Sequence, residues 1–346
     1  MFKIFLPDIK QILHDFKITS KVSSFIELQR TDYEKENPDS REVRLIDKAS
    51  LADGSSVVIR FKNENDVTQE LVEKQSQFAE MLRTNGISCP RQYRANDNFA
   101  KCYSMNGYDV IVTVEEFVDG ELKCVTPETA EKTGRLLAQT HNIAEHNHFH
   151  VKNPVLFDPF TTNDLFAFTE FKLAGENLAD DCLPLYQKIL DKYSKYMQIL
   201  SPLQDEPRFA VQGDISICNL YQLKDGNLGI FDFNRCGDNN LYCDAVMQAV
   251  FEARLMDYPQ GYGEEYSDKI LLSFLSGYQS ERPFSSSQQK LFPYLYSIID
   301  AFWASDIVWD DNSLLKEYER KNTTAVHKWL EEILKRLSFS NSFQIL

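Results

Sequence analysis

The chain has 346 residues, 43% of them hydrophobic and 12% aromatic, which is enough apolar material for two cores and excludes an intrinsically disordered protein. Its 52 acids against 37 lysines and arginines leave a net charge of −15, which argues against binding to a nucleic-acid backbone or an anionic membrane surface. The 7 cysteines are odd in number and form no C-x-x-C pair, which fits reduced thiols; no signal peptide or run of transmembrane length is visible, so the expected location is the cytoplasm.

Taken in order, residues 1–17 read as a short helix and residues 18–62 as strands broken by a charged hairpin or loop at 32–41. In Val57-Val58-Ile59-Arg60-Phe61, strand alternation puts Val58 and Arg60 on one face. Residues 66–85 read as a helix, because Val67, Leu71, Phe78 and Leu82 recur at helical spacing and Asn85-Gly86 closes it. A strand at 110–117 leads into a connector at 118–121. Pro127 then opens a helix whose Ala130, Gly134, Leu137, Ala138 and His141 lie along one face. His146, His148 and His150 alternate as zinc ligands on a strand might, but no cysteine or carboxylate completes a set, so they read as a solvated loop after that helix.

Residues 209–245 carry the most chemistry. The apolar run 209–211 reads as a strand feeding Gln212-Gly213-Asp214, with Asn219 following in the spacing D-x-x-x-x-N. Residues 220–223 and 228–231 read as two strands around the turn Lys224-Asp225-Gly226-Asn227. A hairpin of that length returns Asp232 to the side of Asn219 and Asp214. Asn219 and Asp232 offer the hard oxygen donors that Mg²⁺ takes together with phosphate and water, and Asp214 is a separate acid able to orient or deprotonate an attacking hydroxyl.

These residues resemble the aminoglycoside phosphotransferase and choline kinase superfamily, small-molecule kinases with a protein-kinase-like fold. Gly213, Asp214 and Asn219 match H-G-D-x-x-x-x-N, and Ile230-Phe231-Asp232-Phe233 matches the strand that carries the metal aspartate. Asp244 follows at the family's usual distance. Upstream, residues 134–141 resemble the G-x-L-L-A-x-x-H helix, residues 86–90 the G-I-x-x-P turn, and residues 115–120 the hinge. The matches run in family order over residues 57–244. Gln212 stands where the family has histidine, a loop-supporting role that an amide can also fill. Arg60 stands at the lysine of V-A-I-K, and no glycine-rich loop precedes it.

The resemblance implies an α+β, protein-kinase-like two-lobed fold. A small β-rich lobe at 1–118 would bind nucleotide, and a larger, mainly helical lobe at 119–346 would hold the catalytic and acceptor groups, with nucleotide in the cleft between. It implies ATP and Mg²⁺ as cofactors, Asp214 as the catalytic residue, Asn219 and Asp232 as metal ligands, and Arg60 on the α- and β-phosphates. Adenine is expected at the backbone of residues 115–118, which includes Glu116, Phe117 and Val118. The acid partner of Arg60 is expected on the helix that follows it, near Gln75, with Glu70, Glu73 and Glu80 close by.

The implied reaction is phosphorylation of a hydroxyl on a small molecule such as a cationic amino alcohol or an aminoglycoside. The alternatives are a homoserine-type metabolic kinase, and a catalytically weak nucleotide-binding regulatory protein suggested by Gln212, Arg60 and the missing glycine loop. A protein kinase is disfavoured because no A-P-E segment follows Asp232. Residues 300–311 combine acids and aromatics on an expected helix, where Asp300, Trp303 and Asp306 share a face and are expected to help hold a cationic acceptor. Acceptor identity and oligomeric state stay open.

Overall fold

Strand alternation and one amphipathic helix build the first of two units. In the computed structural model, α1 (Leu6–Asp15) precedes β1 (Val22–Thr31), a short α2 (Tyr33–Glu36), β2 (Val43–Leu51) and β3 (Ser56–Asn63). After α3 (Gln69–Thr84) come β4 (Ala100–Met105) and β5 (Tyr108–Glu116), and the strands form one antiparallel sheet in the order β1-β2-β3-β5-β4. Ile9, Ile12 and Leu13 of α1, with Phe16 just after it, share a buried core with Val43, Leu45, Ala49 and Leu51 of β2. The other face of the sheet carries the direct pairs Arg44 with Lys62, Ile46 with Arg60, and Lys48 with Val58. Thr68 caps α3 by accepting a hydrogen bond from the Leu71 amide at 3.1 Å.

The structure describes residues 1–161, 163, 165–175, 178–255 and 265–338. Their contacts place Met1–Glu121 together with Asn219–Asn234 in the first unit, and the other described residues in the second. The first unit thus includes the hairpin of β7 (Leu220–Gln222) and β8 (Leu228–Ile230), while β6 (Arg208–Val211) lies in the second. There β6 pairs with β9 (Gly237–Asn240), a strand that periodicity does not reveal because its sequence, Gly-Asp-Asn-Asn, holds no apolar residue.

The rest of the second unit is mostly helical: α4 (Pro127–His146), α5 (Phe168–Ala174), α6 (Leu183–Leu200), α7 (Leu241–Leu255), α8 (Glu265–Glu281), α9 (Ser286–Ala301), α10 (Leu314–Glu319) and α11 (Thr323–Arg336). No helix among the described residues is long and apolar enough to cross a membrane. The expected helix over 300–311 is instead the end of α9 followed by a π-helical turn at Ser305–Trp309. The cause is a competing backbone partner. Ala167 donates to the Phe302 carbonyl at 2.9 Å, and Ala304 donates to the Leu165 carbonyl at 3.1 Å, so this stretch spends its hydrogen bonds on an extended segment.

The face read on α4 is the buried one: Ala130, Gly134, Leu137, Ala138 and His141 are all buried. It lies so close to α8 that a Cβ on Gly134 would come within 2.0 Å of the Phe274 carbonyl oxygen, and one on Gly277 within 1.9 Å of the Glu131 carbonyl oxygen. Both obstacles are backbone and cannot swing aside. Gly134→Ala should therefore cost about 1–3 kcal/mol or more, read as a lower urea midpoint at unchanged slope.

Asp47 sits on the apolar face of β2 at 2% exposure, with its Oδ2 lacking a hydrogen-bond partner among the described residues. Burial, then the Glu27 carboxylate, pushes its carboxyl from 3.8 up to about 6. Between those values the native state keeps a proton that the unfolded chain has lost, so this group makes stability fall as pH rises from about 4 to about 6. Asp47→Asn should remove that slope and be more stable than the parent at pH 7 by on the order of 2 kcal/mol. Parallel denaturation curves at pH 4 and pH 7 give both quantities.

Candidate active site

Arg60 occupies the middle of β3, 8% exposed, and points to the face opposite α1. Its Nε donates to Glu115 Oε1 at 2.9 Å, its Nη2 lies 2.8 Å from the same oxygen, and its Nη1 reaches Asp232 Oδ2 at 3.3 Å. Gln92 Nε2 in turn donates to Glu115 Oε2 at 2.9 Å, so both oxygens of that carboxylate are engaged. Burial opposes the guanidinium charge, but Glu115 and Asp232 outweigh it and raise the Arg60 pKa further.

The acid partner of Arg60 is therefore on β5, not on α3. Glu73, one of the helix acids expected there, accepts the Phe99 and Ala100 amides at 2.7 and 2.8 Å, and Gln75 donates to the Asn234 carbonyl at 2.9 Å. Register explains the outcome: Arg60 pairs with Thr113 on β5, and Glu115, two residues along, shares the Thr113 face. The sequence signal for this partner is the charged end of an otherwise apolar β5, the same residues that resemble the hinge.

The β7–β8 hairpin brings Asn219 and Asp232 to its open end, where the Phe231 amide donates to the Asn219 carbonyl at 3.0 Å. Asp232 adopts φ +56°, a left-handed conformation that aspartate tolerates better than most residues, and its Oδ1 accepts the Asn234 amide at 3.1 Å. Burial would raise its pKa, but Arg60, then Lys62, the Asn234 amide and Arg44 together hold it below the usual carboxylate range. Lys62, also on this face, bonds Asn234 Oδ1. Burial, then the Arg60 charge, brings its ammonium down to about 8. Arg60, Lys62, Gln75, Glu115 and Asn234 are among the residues around a cavity of about 30 Å³, room for a water.

At the end of β5, two of the expected adenine-facing amides have protein acceptors. Glu116 N–H donates to the Arg91 carbonyl at 2.9 Å and Phe117 N–H to the Ser56 carbonyl at 3.0 Å, whereas the Val118 amide has no partner among the described residues. Lys48 Nζ lies 3.4 Å from the Phe117 ring centroid. Ile26 and Leu28 of β1 are 57% and 46% exposed, an uncovered apolar strip on the edge strand.

In the second unit, Gln212 is fully buried and its Oε1 accepts the Asp214 amide at 2.7 Å, the loop-supporting bond expected of it. Gly213, at φ +83°, lets the loop pass where a Cβ would meet the Arg235 carbonyl oxygen at 2.4 Å. Asp244 accepts from His141 Nε2 at 3.1 Å and Asn239 Nδ2 at 3.4 Å, and His141 Nδ1 lies 2.9 Å from the Tyr278 hydroxyl, which makes His141 a buried hydrogen-bonded residue. His146 ends α4 and His150 pairs with Asp238, so the three histidines do not share a strand. Asp300 is paired with Arg254, Asp306 with Arg336 and Arg254, and Trp303 is 2% exposed. Asp158, singled out by no motif, is buried and holds Arg208 at 2.6 Å.

No curated protein matches the sequence. Among solved structures, an amicoumacin kinase in complex with AMP-PNP and Ca²⁺ is 14% identical with a TM-score of 0.60, covering 94% of this chain and 93% of that one. A microcompartment-associated aminopropanol kinase is 13% identical with a TM-score of 0.53, covering 95% and 96%. An aminoglycoside phosphotransferase from Alicyclobacillus acidocaldarius is 11% identical, also at 0.53, covering 90% and 93%. At such identities the likeness is one of fold, the kinase-like arrangement of a five-stranded sheet and a mainly helical remainder. The profile described as "Phosphotransferase enzyme family" matches residues 39–284, most of the length, and the chain belongs to that family.

Proposed function

We propose that the protein transfers the γ-phosphoryl group of Mg-ATP to a hydroxyl of a small molecule, with an amino alcohol or aminoglycoside as the acceptor class. The observation that carries this reading is the ion pair of buried Arg60 with Asp232, at the open end of the hairpin where the Phe231 amide bonds the Asn219 carbonyl. Asn219 and Asp232 supply an amide and a carboxylate oxygen, a donor set that suits Mg²⁺ completed by water and phosphate. Bound there, the metal would neutralise charge on the transferring phosphates. Arg60 would hold the α- and β-phosphates, and the Val118 amide would meet adenine, with the Glu116 and Phe117 backbone as supports.

In this reading the acceptor oxygen attacks the γ-phosphorus, a new O–P bond forms, and the bond to the β,γ-bridging oxygen breaks, so that ADP leaves with the electron pair. The acceptor proton passes to the Asp214 carboxylate. Gln212 and Gly213 support that role by fixing the Asp214 backbone in a tight loop. Among proteins of similar fold, the aminopropanol and amicoumacin kinases favour an amine-bearing acceptor here. Asp300 and Asp306 already hold arginines, so a cationic acceptor at Asp300, Trp303 and Asp306 would have to exchange with Arg254 or Arg336.

An acceptor screen across amino alcohols, aminoglycosides, amino acids and sugars, read as ADP formation, tests the function. A protein that binds Mg-nucleotide and stays silent with every acceptor would instead be the regulatory alternative. With a true acceptor, Asp214→Asn should keep nucleotide affinity within a few-fold and lower turnover by about two to four orders of magnitude. Asp232→Ala should abolish Mg-dependent nucleotide binding by calorimetry, while Arg60 keeps Glu115 as its partner. Unchanged turnover in the first variant, or unchanged Mg-ATP affinity in the second, would remove that residue from the mechanism.

Val118→Pro should weaken nucleotide binding by deleting a donor, whereas Glu116→Ala should change it little because that side chain is exposed. Phe117→Pro would break the bond to Ser56 as well, so it is the less informative substitution. Robust ATP affinity in a folded Val118→Pro variant, measured by calorimetry, would place adenine elsewhere.

A further inference from the structure

A kinase ordinarily covers its phosphates with a glycine-rich loop whose backbone amides face them, placed before the strand of the phosphate-binding cation. Here Gly54 is the only glycine before Arg60, and it lies in the β2–β3 turn at φ +87°. The β1–β2 connection at residues 32–42 has no glycine and is folded onto its own unit, with the Tyr33 hydroxyl donating to Glu64. That connection therefore lacks the glycines that ordinarily let backbone amides close on phosphates.

The same sheet face offers two cations that the roles above leave unused. Arg44 and Lys62 are directly opposite each other on β2 and β3, next to the Ile46–Arg60 pair. Like charges placed directly across a sheet repel and destabilise it by up to about 1 kcal/mol. Arg60 is already engaged by Glu115 and Asp232, yet among the described residues neither Arg44 nor Lys62 has a carboxylate within ion-pair distance. Lys62, 8% exposed, has only the neutral Asn234 amide as a hydrogen-bond partner among the described residues, and Asp232 and Glu64 act on it at longer range. Register places Arg44 on the same sheet face as Lys62 and Arg60. A buried cation opposite another, in a chain of net charge −15, is an arrangement that an anionic ligand would stabilise.

We propose that Lys62 and Arg44 form a side-chain cradle for the terminal phosphates of the nucleotide, in place of a glycine-rich loop. The cradle presupposes that this face binds Mg-nucleotide. Arg60 then serves the inner phosphates, Lys62 gives a point charge, and Arg44 gives a guanidinium able to grip two phosphate oxygens.

The test is the affinity ladder from adenosine through AMP and ADP to ATP, with Mg²⁺, by calorimetry on the full chain. In the parent protein affinity should climb with each phosphate. Lys62→Met and Arg44→Met should each weaken ATP about tenfold or more while leaving adenosine within about twofold, and Lys62→Arg should retain most of the climb. Without nucleotide, both methionine variants should melt at or above the parent temperature, because a repulsive pair has been relieved. ATP affinity unchanged in both, or an equal loss for adenosine and ATP with lowered melting, would overturn the cradle. A parent protein that binds no adenine nucleotide would overturn the nucleotide reading itself, whereas a parent that binds ATP beside unaffected variants overturns the cradle alone.

Discussion

The first unit depends on a single buried ionic contact, the guanidinium of Arg60 held between Glu115 and Asp232. Each of these charges would be costly alone in a low-dielectric setting, and removing one partner of such a group typically costs about 3–5 kcal/mol. The arrangement ties three separate segments together: β3 supplies the cation, β5 one acid and the hairpin end the other. Gln92 fixes the second oxygen of Glu115, so that carboxylate cannot rotate away from Arg60. The orientation of Arg60 thus comes from strand register, which puts Glu115 on its face of the sheet.

Asp232 combines a left-handed backbone with a half-buried carboxylate, two features that each cost energy. A non-glycine residue held in a sparsely populated conformation costs about 1–3 kcal/mol and persists where its surroundings over-determine it. Here the surroundings are Arg60, the Asn234 amide and the pairing of β7 with β8. The same economy of backbone appears at Gly213, where the loop can pass the Arg235 carbonyl only because there is no side chain. Both acids proposed for the reaction are therefore presented by backbone geometry that the neighbouring residues enforce.

The acid-aromatic segment near residue 300 shows how composition can mislead. Acids beside tryptophan read as a cation site, yet within this unit Asp300 and Asp306 find arginines and Trp303 enters the core, its ring 6.3 Å from that of Phe251. Arg254 and Arg336 lie far from these acids in sequence, so no window of residues could have paired them. Amine recognition, if it uses this segment, works by exchange of cations.

Much of the fold was legible because it follows from local rules. Alternation marked β3, helical spacing and the Asn85-Gly86 end marked α3, Pro127 opened α4, and the turn at Lys224-Asp225-Gly226-Asn227 set the hairpin that carries Asn219 and Asp232 side by side. Those features need only neighbours a few residues away, so the sequence by itself determined them. Tertiary structure alone decided which acid faces Arg60, which amides at the end of β5 stay open, that the polar β9 pairs with β6, and that Arg44 stands across from Lys62. Each is a matter of strand register or of contact between distant segments, and register is set by the packing of whole faces, which no short stretch of residues encodes.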